Sequence, residues 1–238
     1  MALDYRYETP LEEGVLLKRY KRFLADVELD DGRSFTVHCA NPGSMLGCAE
    51  PGSRVRVRHS GNDKRKLPHN LEQVKAGRAW VNVNTAVANR VVGAALAAGR
   101  IDAFPASASV RPEVADGDGS RLDFLLEDDT GRCWIEVKST TYRVGREARF
   151  PDAVTARGLK HLEALIRLKA QGDRAVMLYL IARADVDLFR PAHEVDPAYS
   201  EALARAHAAG VEIVPVRSVL RREGVGVGPV LPYDLAHA

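Results

Sequence analysis

A chain of 238 residues with 46% hydrophobic content is long enough to bury one large core or two small ones, and two are expected. A formal net charge of +2 excludes assigning a nucleic-acid partner from bulk charge, so that argument has to rest on clustering. Three cysteines, Cys39, Cys48 and Cys133, are an odd number without C-x-x-C spacing, which argues against a disulfide framework or zinc site and for a reducing compartment.

The first residues, MALDYRYETPLEEG, lack the basic-then-apolar layout of a signal peptide, and no apolar run reaches bilayer length. A cytoplasmic protein with no membrane partner is expected. From Gly14 to about Asn84, "GVLLKRYKRFLADVEL", "RSFTVHCA", "SRVRVRHS" and "AWVNVN" are four strand-like runs separated by turn-rich segments, which predicts a small antiparallel barrel of the OB type. Within the first run, alternation puts Lys18, Tyr20 and Arg22 on one face and Arg19, Lys21 and Phe23 on the other, with Phe23 expected in the barrel core. Basic residues interleaved with rings are what a nucleic-acid groove requires. Lys64, Arg65 and Lys66 sit in a loop, where they read either as phosphate contacts or as solvated surface.

Residues 85–98, TAVANRVVGAALAA, predict a helix with Thr85 as N-cap and Gly99 as its stop. The domain boundary is placed there, giving units of 1–84 and 85–238. A short run at 107–114 follows, then the hairpin "SRLDFLLEDDTGRCWIEVKST" at 120–140. The stretch "TARGLKHLEALIRLKAQG" is a clear amphipathic helix over 155–170, with Leu159, Leu162, Leu165, Ile166 and Leu168 apolar and Gly172 ending it. "RAVMLYLIA" is a strand covered on both faces, and a helix at 200–209 and the strand "VEIVPV" complete the order. The fold class is α/β, or α+β over the whole chain: an OB-like barrel followed by a mixed-sheet unit.

The hairpin carries the chemistry. Residues i and i+2 of a strand share a face, so Glu136 and Lys138 project together while Ile135 and Val137 enter the core. Pairing across Asp128–Gly131 would bring Asp123 to that face. Two carboxylates and an ammonium then offer oxygen ligands to Mg²⁺ or Mn²⁺, with the Val137 carbonyl as a further ligand; the alternative is a cross-strand ion pair on a surface hairpin. Arg157, Lys160 and His161, spaced i, i+3 and i+4, would present positive charge to phosphates or form a solvated face balanced by Glu163.

An Asp on the second core strand and E-x-K on the third follow the order of the restriction-endonuclease-like fold. Further strings, "RYKRFLADVEL", "HCANPGSM", "KRKLPHNLE", "SRLDFLL", "IEVKSTT" and "FPDAVTARGLKHL", closely resemble the bacterial sugar fermentation stimulation protein A family along nearly the whole chain. That resemblance implies an N-terminal OB-like domain, a C-terminal PD-(D/E)xK nuclease-like domain, DNA binding and a link to sugar utilisation. Two positions depart from the family pattern: Ala94 replaces a helix Glu, which weakens the case for a second metal ion, and Leu159 replaces a Gln. Three functions follow as expectations: a DNA-binding protein, an active Mg²⁺-dependent nuclease, or a small-ligand regulator without DNA affinity. A homo-oligomer is also expected as a possible state, since related nuclease folds often pair.

Overall fold

The computed structural model describes residues 2–106 and 109–236. Five strands, β2 (Leu11–Tyr20), β3 (Leu24–Leu29), β4 (Ser34–His38), β5 (Arg54–His59) and β6 (His69–Ala76), curl into a barrel, and β7 (Ala79–Asn82) extends it beside β6. The neighbours β4, β3, β2, β5 and β6 pair antiparallel, and one parallel bridge between His38 and Asn70 closes the ring. Leu16, Val27, Val37, Val55, Val57 and Leu71 fill it from alternate positions, the inward half of each strand's two-residue period.

Two barrel expectations need correction. The run from Gly14 to Leu29 is a hairpin, because Lys21–Phe23 form a turn with Lys21 at φ 46° and Arg22 at φ 64°. Non-glycine residues seldom adopt these angles, so nothing in the sequence marks the reversal, and the inferred alternation holds only as far as Tyr20. Phe23 is 43% exposed and outside the barrel core. The strand β6 was not expected either. Its Asn70, Glu72 and Gln73 interrupt the apolar pattern because they are buried between the barrel and the second unit: Glu72 takes hydrogen bonds from Arg58 and Asn84, and Gln73 donates to Tyr7 and to the Arg221 carbonyl.

The second unit is a seven-stranded mixed sheet in the order β1 (Tyr5–Arg6), β16 (Gly224–Val230), β15 (Glu212–Leu220), β13 (Arg174–Ile181), β10 (Gly131–Thr140), β9 (Arg121–Asp128), β8 (Ser109–Ala115). The three central strands β10, β13 and β15 run parallel and the flanking pairs antiparallel. The helix α1 (Ala86–Ala97) covers one face over Ile135, Val137, Val176 and Leu178. On the other, α2 (Ala156–Ala170) and α3 (Pro197–Ala208) cover Trp134, Met177 and Tyr179. A small sheet of β11 (Tyr142–Val144), β12 (Glu147–Phe150) and β14 (Leu188–Pro191) stands beside it. The run expected from residue 107 is β8; residues 107 and 108 lie outside the described residues. Tyr5–Arg6 is an edge strand of this second sheet, so the expected unit 1–84 loses its first residues to the other one.

The two units are tied together at several points. The Asn82 N–H donates to the Ala182 carbonyl at 2.9 Å, and the buried Arg183 guanidinium donates to the Thr141 carbonyl, also at 2.9 Å, while touching Cys48 Sγ. Asp152, from the second unit, accepts from the barrel's Met45 N–H at 2.8 Å. The loop at residues 41–44 can approach Asp152 this closely only because residue 43 is glycine: a Cβ there would stand 2.3 Å from Asp152 Oδ1. Gly43→Ala should therefore push Asp152 off Met45 and cost about 1–3 kcal/mol, read as a lowered urea midpoint; an unchanged midpoint would show that this contact does not hold the units together.

Candidate active site

Pairing between β9 and β10 runs from Asp128–Gly131 as far as Phe124–Ile135. One residue further the ladder opens. There Asp123 Oδ2 accepts from the Val137 N–H at 2.7 Å, and Oδ1 accepts from Asn89 Nδ2 at 2.6 Å. Asp123 thus occupies a fixed position between β10 and α1. Across β10, Lys138 Nζ donates to Glu136 Oε1 at 2.7 Å. His161 Nδ1, from α2, hydrogen-bonds the same oxygen and lies 3.0 Å from Lys138 Nζ. Arg157 Nε donates to His161 Nε2 at 3.4 Å, which leaves the Nδ1 proton for Glu136.

Glu136 is only 3% exposed, and its second oxygen, Oε2, has no protein hydrogen-bond partner. An unsatisfied carboxylate oxygen at this depth calls for an ion, a water or a ligand group. Among the described residues no group of three or more His, Cys, Asp and Glu side chains is gathered as a metal cage; the site offers two carboxylates and the backbone at Val137.

The two acids are pushed in opposite directions. Burial, reinforced by the Glu136 charge, raises Asp123 to about 6. Burial also pushes Glu136 upward, but the His161 hydrogen bond and the Lys138 ammonium outweigh it and bring the carboxyl below its ordinary range. Such a split is typical of functional sites.

A cavity of about 500 Å³ opens where the barrel meets the second unit. Lys138, Asn89 and the Val137 segment contribute to its wall, together with Arg22 from the barrel and Arg157 from α2. Of the expected nucleic-acid contacts, only Arg22 and Arg157 reach it. Lys18 and Tyr20 share Asp26 on the barrel wall, Lys21 is exposed at the hairpin turn, and Lys160 is exposed on α2. Arg19 is a correction. Its guanidinium donates to the carbonyls of Arg22, Asn41 and Gly43 at 2.8–2.9 Å, so it braces the turn. His161 is another: it is 6% exposed and hydrogen-bonded to Glu136, because its helical position points it at the sheet. Lys64 and Lys66 lie on an exposed loop, and Arg65 borders a separate smaller cavity.

Asn89 was missed. Its signal was present in "ANRVVGAA", where attention falls on Ala94, yet Asn89 is the α1 residue that meets Asp123. Leu159 packs against the α2–α3 core. Asp152 belongs to the junction between units, and α2 is capped at its start by Thr155, whose hydroxyl accepts from the Gly158 N–H.

An OB barrel fused to a restriction-endonuclease-like mixed sheet, with a split pair of carboxylates in that sheet next to Val137 and Lys138 of the cavity wall, defines the class of protein. Two family models match in the same order: "SfsA N-terminal OB domain" over residues 17–83 and "Sugar fermentation stimulation protein RE domain" over residues 86–224. Sugar fermentation stimulation protein homologs from Ruegeria sp. (strain TM1040) and Rhodospirillum centenum are 48% and 49% identical, each over 95% of this chain and 99% and 98% of their own length. A solved structure of Pyrococcus furiosus SfsA in complex with Ca²⁺ superposes with a TM-score of 0.89, covering 98% of this chain and 100% of that one at 24% identity. The chain belongs to the sugar fermentation stimulation protein family.

The raised Asp123 carboxyl has a consequence for stability. Unfolded, the group titrates near 4; folded, it holds its proton up to about 6. Between those values the folded state binds more protons, so its contribution to stability falls as pH rises and stays low above 6. Asp123→Asn should raise Tm at pH 7.5 by several degrees and give no gain near pH 4, where the wild-type acid is already neutral. A scanning-calorimetry pH series showing an equal gain at both ends would contradict this origin.

Proposed function

We propose that the protein binds DNA in the cleft between the barrel and the mixed sheet, with a divalent cation held by Asp123 and Glu136 against a phosphate of the bound strand. The observation that carries this is the partnerless Glu136 Oε2, buried one residue from the Val137 backbone to which Asp123 is bonded. Two carboxylates suit a hard cation that keeps several of its waters. That a structural neighbour is described in complex with Ca²⁺ is in keeping with this. When bound, such an ion would neutralise phosphate charge and polarise a phosphoryl oxygen. Arg22 and Arg157 on the cavity wall would hold neighbouring phosphates, and Asn89 keeps the Asp123 carboxylate aimed.

A second reading, hydrolysis of the phosphodiester, is favoured by Lys138. Its ammonium is anchored on Glu136 beside His161 and also lines the cavity, where it could orient an attacking water and stabilise developing charge. In both readings the family's sugar-utilisation role would be exerted through DNA.

The test is binding and cleavage of end-labelled DNA with and without Mg²⁺ or Mn²⁺, in wild type, Asp123→Ala and Glu136→Ala. Binding should weaken roughly twenty- to fortyfold between about 50 and 200 mM salt if some three phosphates are neutralised, and the cation-dependent part should vanish in both variants. Cation-dependent cutting by wild type alone establishes hydrolysis; cation-strengthened binding without cutting establishes a clamp. DNA affinity that is absent or indifferent to salt overturns the proposal in favour of a small-ligand regulator. Asp123 also sets a pH dependence, because the cation competes with its proton: with the carboxyl near 6, Mg²⁺ affinity at pH 5 should be roughly tenfold weaker than at pH 7, measurable by calorimetry.

A further inference from the structure

We infer that the tip of the β2–β3 hairpin is a stacking platform for an unpaired nucleobase, so that the nucleic acid taken into the cleft is single-stranded. This rests on the reading of the cleft as a DNA site and names the form of its ligand. The starting observation is Phe23, whose ring stands 43% exposed and lies over His38 with centroids 6.5 Å apart and planes 24° from parallel. The turn that presents it holds Lys21 and Arg22 at φ 46° and 64°, angles that cost free energy for residues with a Cβ.

That cost is offset by specific contacts. Arg19 clamps the Arg22 carbonyl to those of Asn41 and Gly43, and the Phe23 carbonyl accepts from the Cys39 N–H at 2.9 Å. The exposed ring is therefore held in place. Beside it, Lys21 and Arg22 are exposed and make no ion pair among the described residues. Arg22 lines the 500 Å³ cavity, whereas His38 lines a second cavity of about 220 Å³ whose wall also carries Arg58, Arg65 and Arg90. Phe23 thus stands between its chain neighbour Arg22, which borders the first cavity, and its ring partner His38, which borders the second. An aromatic face between phosphate-binding positions is the recurring pattern of single-strand recognition, in which charge follows the backbone and rings take the bases.

Duplex DNA keeps its base faces stacked inside. Only a single strand, a gap or a frayed end offers one to Phe23. The size of the main cavity agrees, since 500 Å³ is the scale of a small-molecule pocket and admits a nucleotide or two rather than both backbones of a duplex.

The experiment titrates the full-length protein, in EDTA so that no strand is cut, into a single-stranded oligonucleotide containing 2-aminopurine and into the matching blunt duplex. Wild type should bind the single strand more tightly and quench the reporter. Phe23→Ala and Phe23→Leu should each weaken single-strand binding by roughly 5- to 150-fold and leave duplex binding and Tm unchanged, while Phe23→Trp keeps the affinity and shows quenching of the new indole. Single-strand and duplex affinities that are equal and untouched by Phe23→Ala overturn the platform but leave the cleft reading standing. Phe23→Leu binding as wild type also overturns it, pointing to an apolar anchor such as a protein partner would use. A wild-type protein that binds neither DNA, in EDTA or with Mg²⁺ or Mn²⁺ added, sinks both readings.

Discussion

The structure is organised around one charged group in a place where charge is costly. Glu136 sits on β10, in the middle of a sheet covered on both faces, and is almost wholly shielded from water. A carboxylate there must be answered by cations or donors. Lys138 answers from two residues along the same strand, and His161 from α2. The second answer constrains much of the surrounding fold, because α2 has to begin at the end of β10 and run with one face against it. Thr155 caps that start, Asp196 accepts the Thr155 N–H, and Gly158 lets α3 approach so closely that a Cβ would meet the Tyr199 ring.

The other carboxylate depends on an interruption. The β9–β10 ladder stops at Phe124, and the Asp123 side chain takes the hydrogen bond that a backbone carbonyl would otherwise receive from Val137. Its second oxygen is occupied by Asn89 on the opposite layer of the sheet. The two acids therefore stand on neighbouring strands, β9 and β10, with Asp123 bonded toward α1 and Glu136 toward α2. This explains why their carboxyl groups, close enough to feel each other, are driven apart in acidity: Asp123 has no cation in hydrogen-bond contact, and Glu136 has the His161 ring and the Lys138 ammonium on one oxygen.

The barrel is part of the same arrangement. Asp152 on Met45, Arg183 on Thr141 and Cys48, and the Asn82–Ala182 bond fix its rim against the sheet, and the cavity above Lys138 has walls from both units. Neither unit alone forms that space. The chain's first strand, paired with β16 at the far edge of the sheet, closes the connection from the other side.

Sequence pattern by itself determined the OB-like barrel type, the helices near 86–97 and 156–170, the core order of helices and strands in the second unit, and the placing of Glu136 and Lys138 side by side on one strand. These rest on local periods of two and 3.6 residues and on an i, i+2 relation, which the chain expresses within a few residues. Only the tertiary structure decided the rest. Arg19 and Arg22 are near neighbours with the same charge, yet one is an internal brace and the other a cavity wall, because the chain reverses at a turn without glycine. His161 belongs to Glu136 and Asn89 to Asp123 because helices pack on opposite faces of the sheet, a relation between residues 25 and 34 positions apart that no local pattern encodes. Phe23 reads as core from its strand neighbours and lies in solvent for the same reason: its environment is set by where the hairpin turns, and that was settled by contacts from the loop at 41–44.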